Sequence, residues 1–368
     1  MTWFGDRTSR RSFLKRTAAG PLGLASSRFP FGRSSPRQPA DLEDLFQSAI
    51  VVDAACPLVH PGRGDDAFGE YLDQMVRGGV SLALGTVASI ESFEETLHSL
   101  NSYYPLFEKF QDRVLHAKSF EDVRRARTEG KVAILFHFQG SGMLDYDASR
   151  LELFKELGVR VIQLAYNWKF LVGDGCTERT DCGLTDFGRL VVKKMNRLGI
   201  VVDCSHTGYR TTLEAIELSE DPVVFTHSNA WGLCPSKRNI KDDQIAAVAK
   251  TGGVVGVNAF PAFLTREGDA SLSTLLDHVD YIAKLVGVEH VGLGLDFTVS
   301  GGMESYRRYR YDPETYPPPP WSFPPDIASP AMIPAIARGL RSRGYDDEAI
   351  LGVLGGNFAR VFERVWSK

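Results

Sequence analysis

Eight short apolar runs punctuate the chain, and each leads into a longer stretch with helical periodicity. They are "AIVVDA" (49–54), "VSLALGTV" (80–87), "VAILFHF" (132–138), "VRVIQLAY" (159–166), "GIVVDCSH" (199–206), "PVVFTHS" (222–228), "GGVVGVNAF" (252–260) and "HVGLGLDF" (290–297). Their apolarity is continuous rather than alternating, which suits strands buried on both faces of a parallel sheet. Between them, "DFGRLVVKKMNRL" and "LLDHVDYIAKLVG" place apolar residues at i, i+3, i+4 and i+7, the spacing of amphipathic helices. Eight strand–helix units without an internal linker predict an α/β fold, a single-domain (β/α)8 barrel of the TIM type over residues 41–368. A doubly wound open sheet is the other candidate, but the GxGxxG phosphate fingerprint is absent.

One segment departs from this rhythm. Residues 306–330, "YRRYRYDPETYPPPPWSFPPDIASP", are rich in Pro and aromatics, and four successive prolines deny them a helix or a central strand. They follow the eighth run, so a loop over the face where barrel sites are built is expected, either as a lid or as a surface wrap. The closing "RGYDDEAILGVLGGNFARVFERVW" reads as helical.

Charge separates the first 40 residues from the rest. They carry eight basic side chains against one acid, leaving 34 bases and 45 acids for the remainder. Within them, "SRRSFLK" precedes the soft apolar run "TAAGPLGLASS", which resembles a twin-arginine export signal. The expected partner of 1–40 is the twin-arginine machinery. The expected location is periplasmic or extracytoplasmic, with an uncleaved anchor as an alternative. The whole chain has a net charge of −4 and no basic excess to neutralise phosphates, so nucleic acid is set aside as a partner. Five cysteines exclude a fully paired framework. Cys176 and Cys182 share one Gly-rich loop and could join in an oxidising compartment.

Barrel enzymes gather their chemistry at the C-terminal ends of strands. The fifth run ends in His206, the sixth in His227 and the eighth in Asp296; the third brings His137 and Gln139, the fourth Tyr166 and Asn167, and the seventh Asn258. Two imidazoles and a carboxylate form the kit of a hydrolytic metal site, since neutral imidazole suits zinc and a carboxylate can take a proton from water.

The runs "LGIVVDCSHTG", "PVVFTHSNAWGLCPSKRNIKDDQI", "GGVVGV", "HVGLGLDF" and "LGGNFARVF" resemble the membrane (renal) dipeptidase family of the amidohydrolase superfamily, most strongly over 156–297. The resemblance implies zinc-dependent hydrolysis of dipeptides in a barrel, with two metals bridged by a hydroxide. It implies His206 and His227 as ligands of one metal, Asp296 as the aspartate that ligates the other metal and relays the proton, and Arg238 as the grip on the substrate carboxylate. Planar two-pronged donors suit that last task. Tyr166 stands where the family has a substrate-contacting histidine.

Other positions depart from the pattern. The resemblance implies a His-x-Asp pair after the first strand, where this chain has Ala55 and Pro57, and a bridging glutamate where it has Gln139. Cys56, His60 and His137 lie close by in sequence and are the candidate substitutes; His137 shares a strand face with Gln139 because side chains repeat every two residues. One zinc at most is therefore expected. The leading expectation is an exported dipeptidase-like hydrolase acting on a small peptide-like substrate, as a monomer or homodimer. A tautomerase, isomerase or dehydratase in the same pocket is the second. A non-catalytic binding protein is the third.

Overall fold

The computed structural model describes residues 41–57, 64–298 and 302–368. The expected export segment at 1–40 and the candidate ligand His60 lie outside them. The described residues make one compact unit. No helix among the described residues is long and apolar enough to cross a membrane.

Eight strands form among the described residues: β1 (Val51–Cys56), β2 (Val80–Ala88), β3 (Val114–His116), β4 (Val132–Phe138), β5 (Val159–Gln163), β6 (Val201–Asp203), β7 (Val255–Val257) and β8 (Val291–Leu293). All their pairings are parallel. The larger sheet runs β1-β2-β4-β5-β6, with β3 joined to β4, and β7 and β8 pair separately. The result is an α/β fold whose parallel sheet curls as a half-barrel.

Two differences from the sequence expectation have physical causes. β3 is only three residues long, so "VLH" makes no apolar run that stands out. The run 222–228 forms no strand; it touches its neighbours at single bridges, Val224 on Asp203 and Phe225 on Val255. Its flanks are spent on turns and on side-chain hydrogen bonds instead of a ladder. Between β8 and β1, the Asp296 amide donates to the Ala55 carbonyl at 2.9 Å and the Leu295 amide to Asp53 Oδ1 at 3.0 Å.

The continuous apolarity is explained by burial on both faces. Every residue of β1 and β4 is buried. Alternate residues enter two different cores. Val52, Leu82, Ala133, Leu135, Val161, Val201 and Val224 form an inner cluster with Phe358, Phe362 and Trp366 of the last helix, Asn357–Trp366. Their neighbours Val51, Ala83, Ile134, Phe136, Ile162 and Val202 pack outward under the helices. The period-two rule then extends the inner rows upward: His137 continues Ala133 and Leu135, Asp203 continues Val201, and Thr226 continues Val224. An apolar floor thus ends in a polar layer, which supports the site.

The C-terminal segment is helical as expected, with a kink at Gly355. The backbone there passes against β1, and a Cβ on Gly355 would stand 2.1 Å from the Ile50 carbonyl oxygen. The Pro- and Tyr-rich stretch packs on the protein: Tyr306 and Tyr316 join Phe260 and Phe263 in a third apolar cluster. Lys237 pairs with Asp312 at 2.8 Å, and Arg308 with Glu95 at 3.3 Å.

Candidate active site

His206 and Asp296 follow β6 and β8, His227 follows the bridging run at 224–225, and three of the expected residues stand on strained backbone. Asn167, His206 and Asp296 have φ of 63°, 61° and 54°. Left-handed conformations are uncommon for residues other than glycine; His206 and Asp296 line one cavity and Asn167 is bonded to His206, so the surrounding fold holds this site in place.

His206 and His227 meet at its centre. Their Nε2 atoms lie 2.9 Å apart. Each Nδ1 is engaged behind: that of His206 on Asn167 Oδ1 at 2.8 Å, that of His227 on Thr226 Oγ1 at 2.8 Å. Both rings are buried, and burial first, then the positive charge of Arg238, lowers both pKa values well below the ordinary histidine range. For His227 the Asp203 charge pulls the other way without reversing the direction. Both imidazoles are therefore neutral near pH 7, the state in which histidine binds metal.

Tyr166 stacks on His206, with ring centroids 4.1 Å apart and planes at 22°. Its hydroxyl meets that of Tyr311 at 3.0 Å, while Tyr316 donates to Asn167 Oδ1 at 3.1 Å. The tyrosines of the Pro-rich stretch thus reach the site, on the face over which the sequence order places that stretch.

Asp296 accepts from Asn258 Nδ2 at 3.3 Å. Burial raises its pKa to about 7, against the lowering pull of Arg238 and of the Asn258 hydrogen bond. Asp53, on β1, is raised to about 7 as well, by burial and by the charge of Asp296, although it accepts from the Leu295 and Ala55 amides.

Arg238 lies deep in the protein. It is 2% exposed, its Nη2 donates to the His227 carbonyl at 3.2 Å, and its Nε has no partner. It lines a cavity of about 290 Å³ together with His206, Cys176 and Lys237. Asp296, Tyr166, Gln139 and His206 line another, of about 890 Å³, with Tyr309, Tyr311 and Trp321. His206 stands between the two.

The candidate substitutes for the missing ligands turn elsewhere. Cys56 donates to the Tyr71 hydroxyl at 3.6 Å, and His137 Nε2 faces Asp203 Oδ2 at 3.3 Å. Gln139 is held by Thr86 at 3.1 Å. Cys176 and Cys182 are both free thiols. Cys176 is turned toward Asn167 Oδ1 at 3.6 Å, and burial pushes its pKa up to about 11. The loop therefore carries no disulfide in this structure.

A two-metal centre does not fit these residues. Ala55 and Pro57 cannot ligate, the Gln139 amide is neutral and engaged, and no group of three or more His, Cys, Asp or Glu that could hold a metal occurs among the described residues. One ion fits at two corners: two neutral imidazoles point their Nε2 atoms into the same gap, within reach of the ~2.0–2.1 Å bonds zinc makes to nitrogen.

Comparison with known proteins agrees with the architecture. A sequence model of the membrane dipeptidase peptidase family matches residues 52–311. The dipeptidase aclJ of Aspergillus oryzae is 29% identical over 277 residues, which is 74% of this chain and 61% of that protein, so the chain spans under two thirds of that relative's length. The crystal structure of an amidohydrolase from Pseudomonas aeruginosa superposes with a TM-score of 0.82 at 31% identity, covering 89% of this chain and all of the other. A metallopeptidase from Rhodobacter sphaeroides, solved with a phosphinate mimic of the dipeptide L-Ala-D-Ala, gives 0.72 at 25%, covering 87% and 100%.

Proposed function

This chain belongs to the membrane dipeptidase family of hydrolases, and from that membership we propose that it hydrolyses a dipeptide or similar small amide on one zinc ion held by His206 and His227. The observation that carries the reading is the pair of neutral imidazoles facing each other at 2.9 Å beside a cavity that also holds Asp296. We place the strands other than β3, together with the bridging segment at 224–225, in one eight-membered (β/α)8 barrel.

Bound zinc supplies Lewis acidity, polarising the scissile carbonyl and acidifying water. The protein's own groups do the rest. Asp296, with its pKa raised to about 7, takes a proton from the attacking water and returns it to the leaving amine; such a pKa matches a general base working near neutrality. Asn258 holds the carboxylate in place through its hydrogen bond. Tyr166 keeps His206 in orientation by stacking and walls the larger cavity. Arg238, with an unpaired Nε, receives the substrate carboxylate from the smaller cavity, so that the substrate lies across His206. The Rhodobacter relative's dipeptide mimic supports this substrate class. His206→Ala should abolish cleavage in a dipeptide panel; retention of activity would remove the reading.

The departures at Ala55, Pro57 and Gln139 favour a second reading, proton transfer without hydrolysis. Asp53 and Asp296, both raised to about 7 by burial, would move the proton. Incorporation of solvent deuterium into an uncleaved substrate would distinguish it. For the first 40 residues we propose twin-arginine export, on the paired arginines; a reporter fused after residue 40 should appear outside the cytoplasm, and should stay inside when Arg10 and Arg11 become Lys.

A further inference from the structure

We infer that Asp203 and Thr226 are a positioning pair, fixing His227 as the tautomer whose Nε2 is a bare lone pair directed at His206. The inference rests on His206 and His227 being the metal ligands, and follows from counting protons around Thr226.

Asp203 ends β6 and is fully buried. Its Oδ1 accepts the backbone amides of Ser205 at 2.9 Å and Thr226 at 3.0 Å. Its Oδ2 accepts the Thr226 hydroxyl and faces His137 Nε2 at 3.3 Å. Burial alone would push this carboxyl up. The hydrogen bonds it makes with His137 and Thr226 help hold it well below the usual range instead. An ionised carboxylate only accepts, so the single hydroxyl proton of Thr226 is committed to Asp203.

Thr226 Oγ1 then has only lone pairs to offer. One accepts from Ser205 Oγ at 3.3 Å, because Thr226 has no second proton to give, while a lone pair of Ser205 Oγ receives the His227 amide at 3.1 Å. The other must accept from His227 Nδ1 at 2.8 Å. His227 therefore carries its proton on Nδ1, and Nε2 is left free. On the other side, His206 relies on the Asn167 amide, whose oxygen and nitrogen can exchange places. The carboxylate relay gives His227 no such freedom. It does through a threonine what a carboxylate more often does directly to a metal-binding histidine.

The test is nitrogen NMR on metal-free protein labelled with 15N-histidine. In the wild type, His227 should show a protonated Nδ1 and an unprotonated Nε2. Thr226→Val should lose that signature and weaken zinc binding by about 10–100-fold, measured by chelator competition. Thr226→Ser, which keeps the hydroxyl, should restore both. A proton on Nε2 in the wild type would overturn the inference, and so would a Val variant with wild-type tautomer and zinc affinity. If the Val variant does not fold, the wild-type spectrum decides alone. Because the tautomer is read without zinc or substrate, protein that shows it but cleaves nothing keeps the pair and loses only the hydrolase reading.

Discussion

Arg238 and Asp296 lie on either side of His206, each lining a different cavity that His206 shares. Their charges still meet, since Arg238 pulls the Asp296 pKa down against the larger effect of burial. A substrate that used both would have to pass the metal ligand, which is where a scissile bond belongs.

That placement predicts how Arg238 acts. Arg238→Ala should raise KM for dipeptides with a free C-terminal carboxylate by about 10–100-fold, the 1.5–3 kcal/mol of a charged hydrogen bond, and leave C-terminally amidated substrates much less affected. Arg238→Lys should recover only part of the loss, because a point charge replaces a planar fork. Initial-rate kinetics on paired acid and amide substrates check this; equal losses on both would contradict it.

The two imidazoles should be equal partners in metal binding. His206→Ala and His227→Ala are each expected to weaken zinc affinity more than about 100-fold, beyond what loss of a supporting residue costs. Chelator competition measures it. A variant at either position that still binds zinc like the wild type would remove that histidine from the site.

Stability should depend on pH with an unusual sign. Asp53 and Asp296 are carboxyls whose folded pKa is raised, from 3.8 to about 7. The folded state binds protons that the unfolded state has released, so this stabilisation is complete below about pH 4 and is lost as pH rises through about 7. The slope approaches about 1.4 kcal/mol per pH unit for each carboxyl, and the two titrate as a coupled pair. Metal-free protein should therefore unfold at lower denaturant at pH 8 than at pH 5, and Asp53→Asn should flatten the dependence. A pH-independent midpoint would contradict it.

Restoring the missing groups should restore the second metal. Ala55→His, Pro57→Asp and Gln139→Glu together put three ligating side chains beside Asp296. Zinc per chain should rise from one to two, with faster dipeptide cleavage. No change in stoichiometry would show that the neighbouring backbone has also departed from a two-metal geometry.

Much of this was legible in the sequence because the physics was local. Burial on both faces writes itself as uninterrupted Val, Ile and Leu, and strand ends expose His206, His227 and Asp296 as abrupt changes from apolar to polar. What stayed hidden depends on distance in three dimensions. β3 is too short to leave an apolar signature, and the run at 222–228 looks like a strand although it pairs only at Val224 and Phe225. Asp203 and Thr226 sit inside runs that read as core, and only the inner row of the sheet brings them together. The Pro-rich stretch is expected over the site face, but which of its tyrosines touch Tyr166 and Asn167 depends on its folded path. Arg238 is named by the resemblance, but its place on the smaller cavity beside His206 follows only from the fold.

The most direct test of the account is zinc content measured alongside cleavage on one preparation of the purified chain. The prediction is one zinc per chain and hydrolysis of free-carboxylate dipeptides that disappears with the metal and returns when zinc is added. Protein that binds no zinc and releases no amino acid at high enzyme concentration would contradict it.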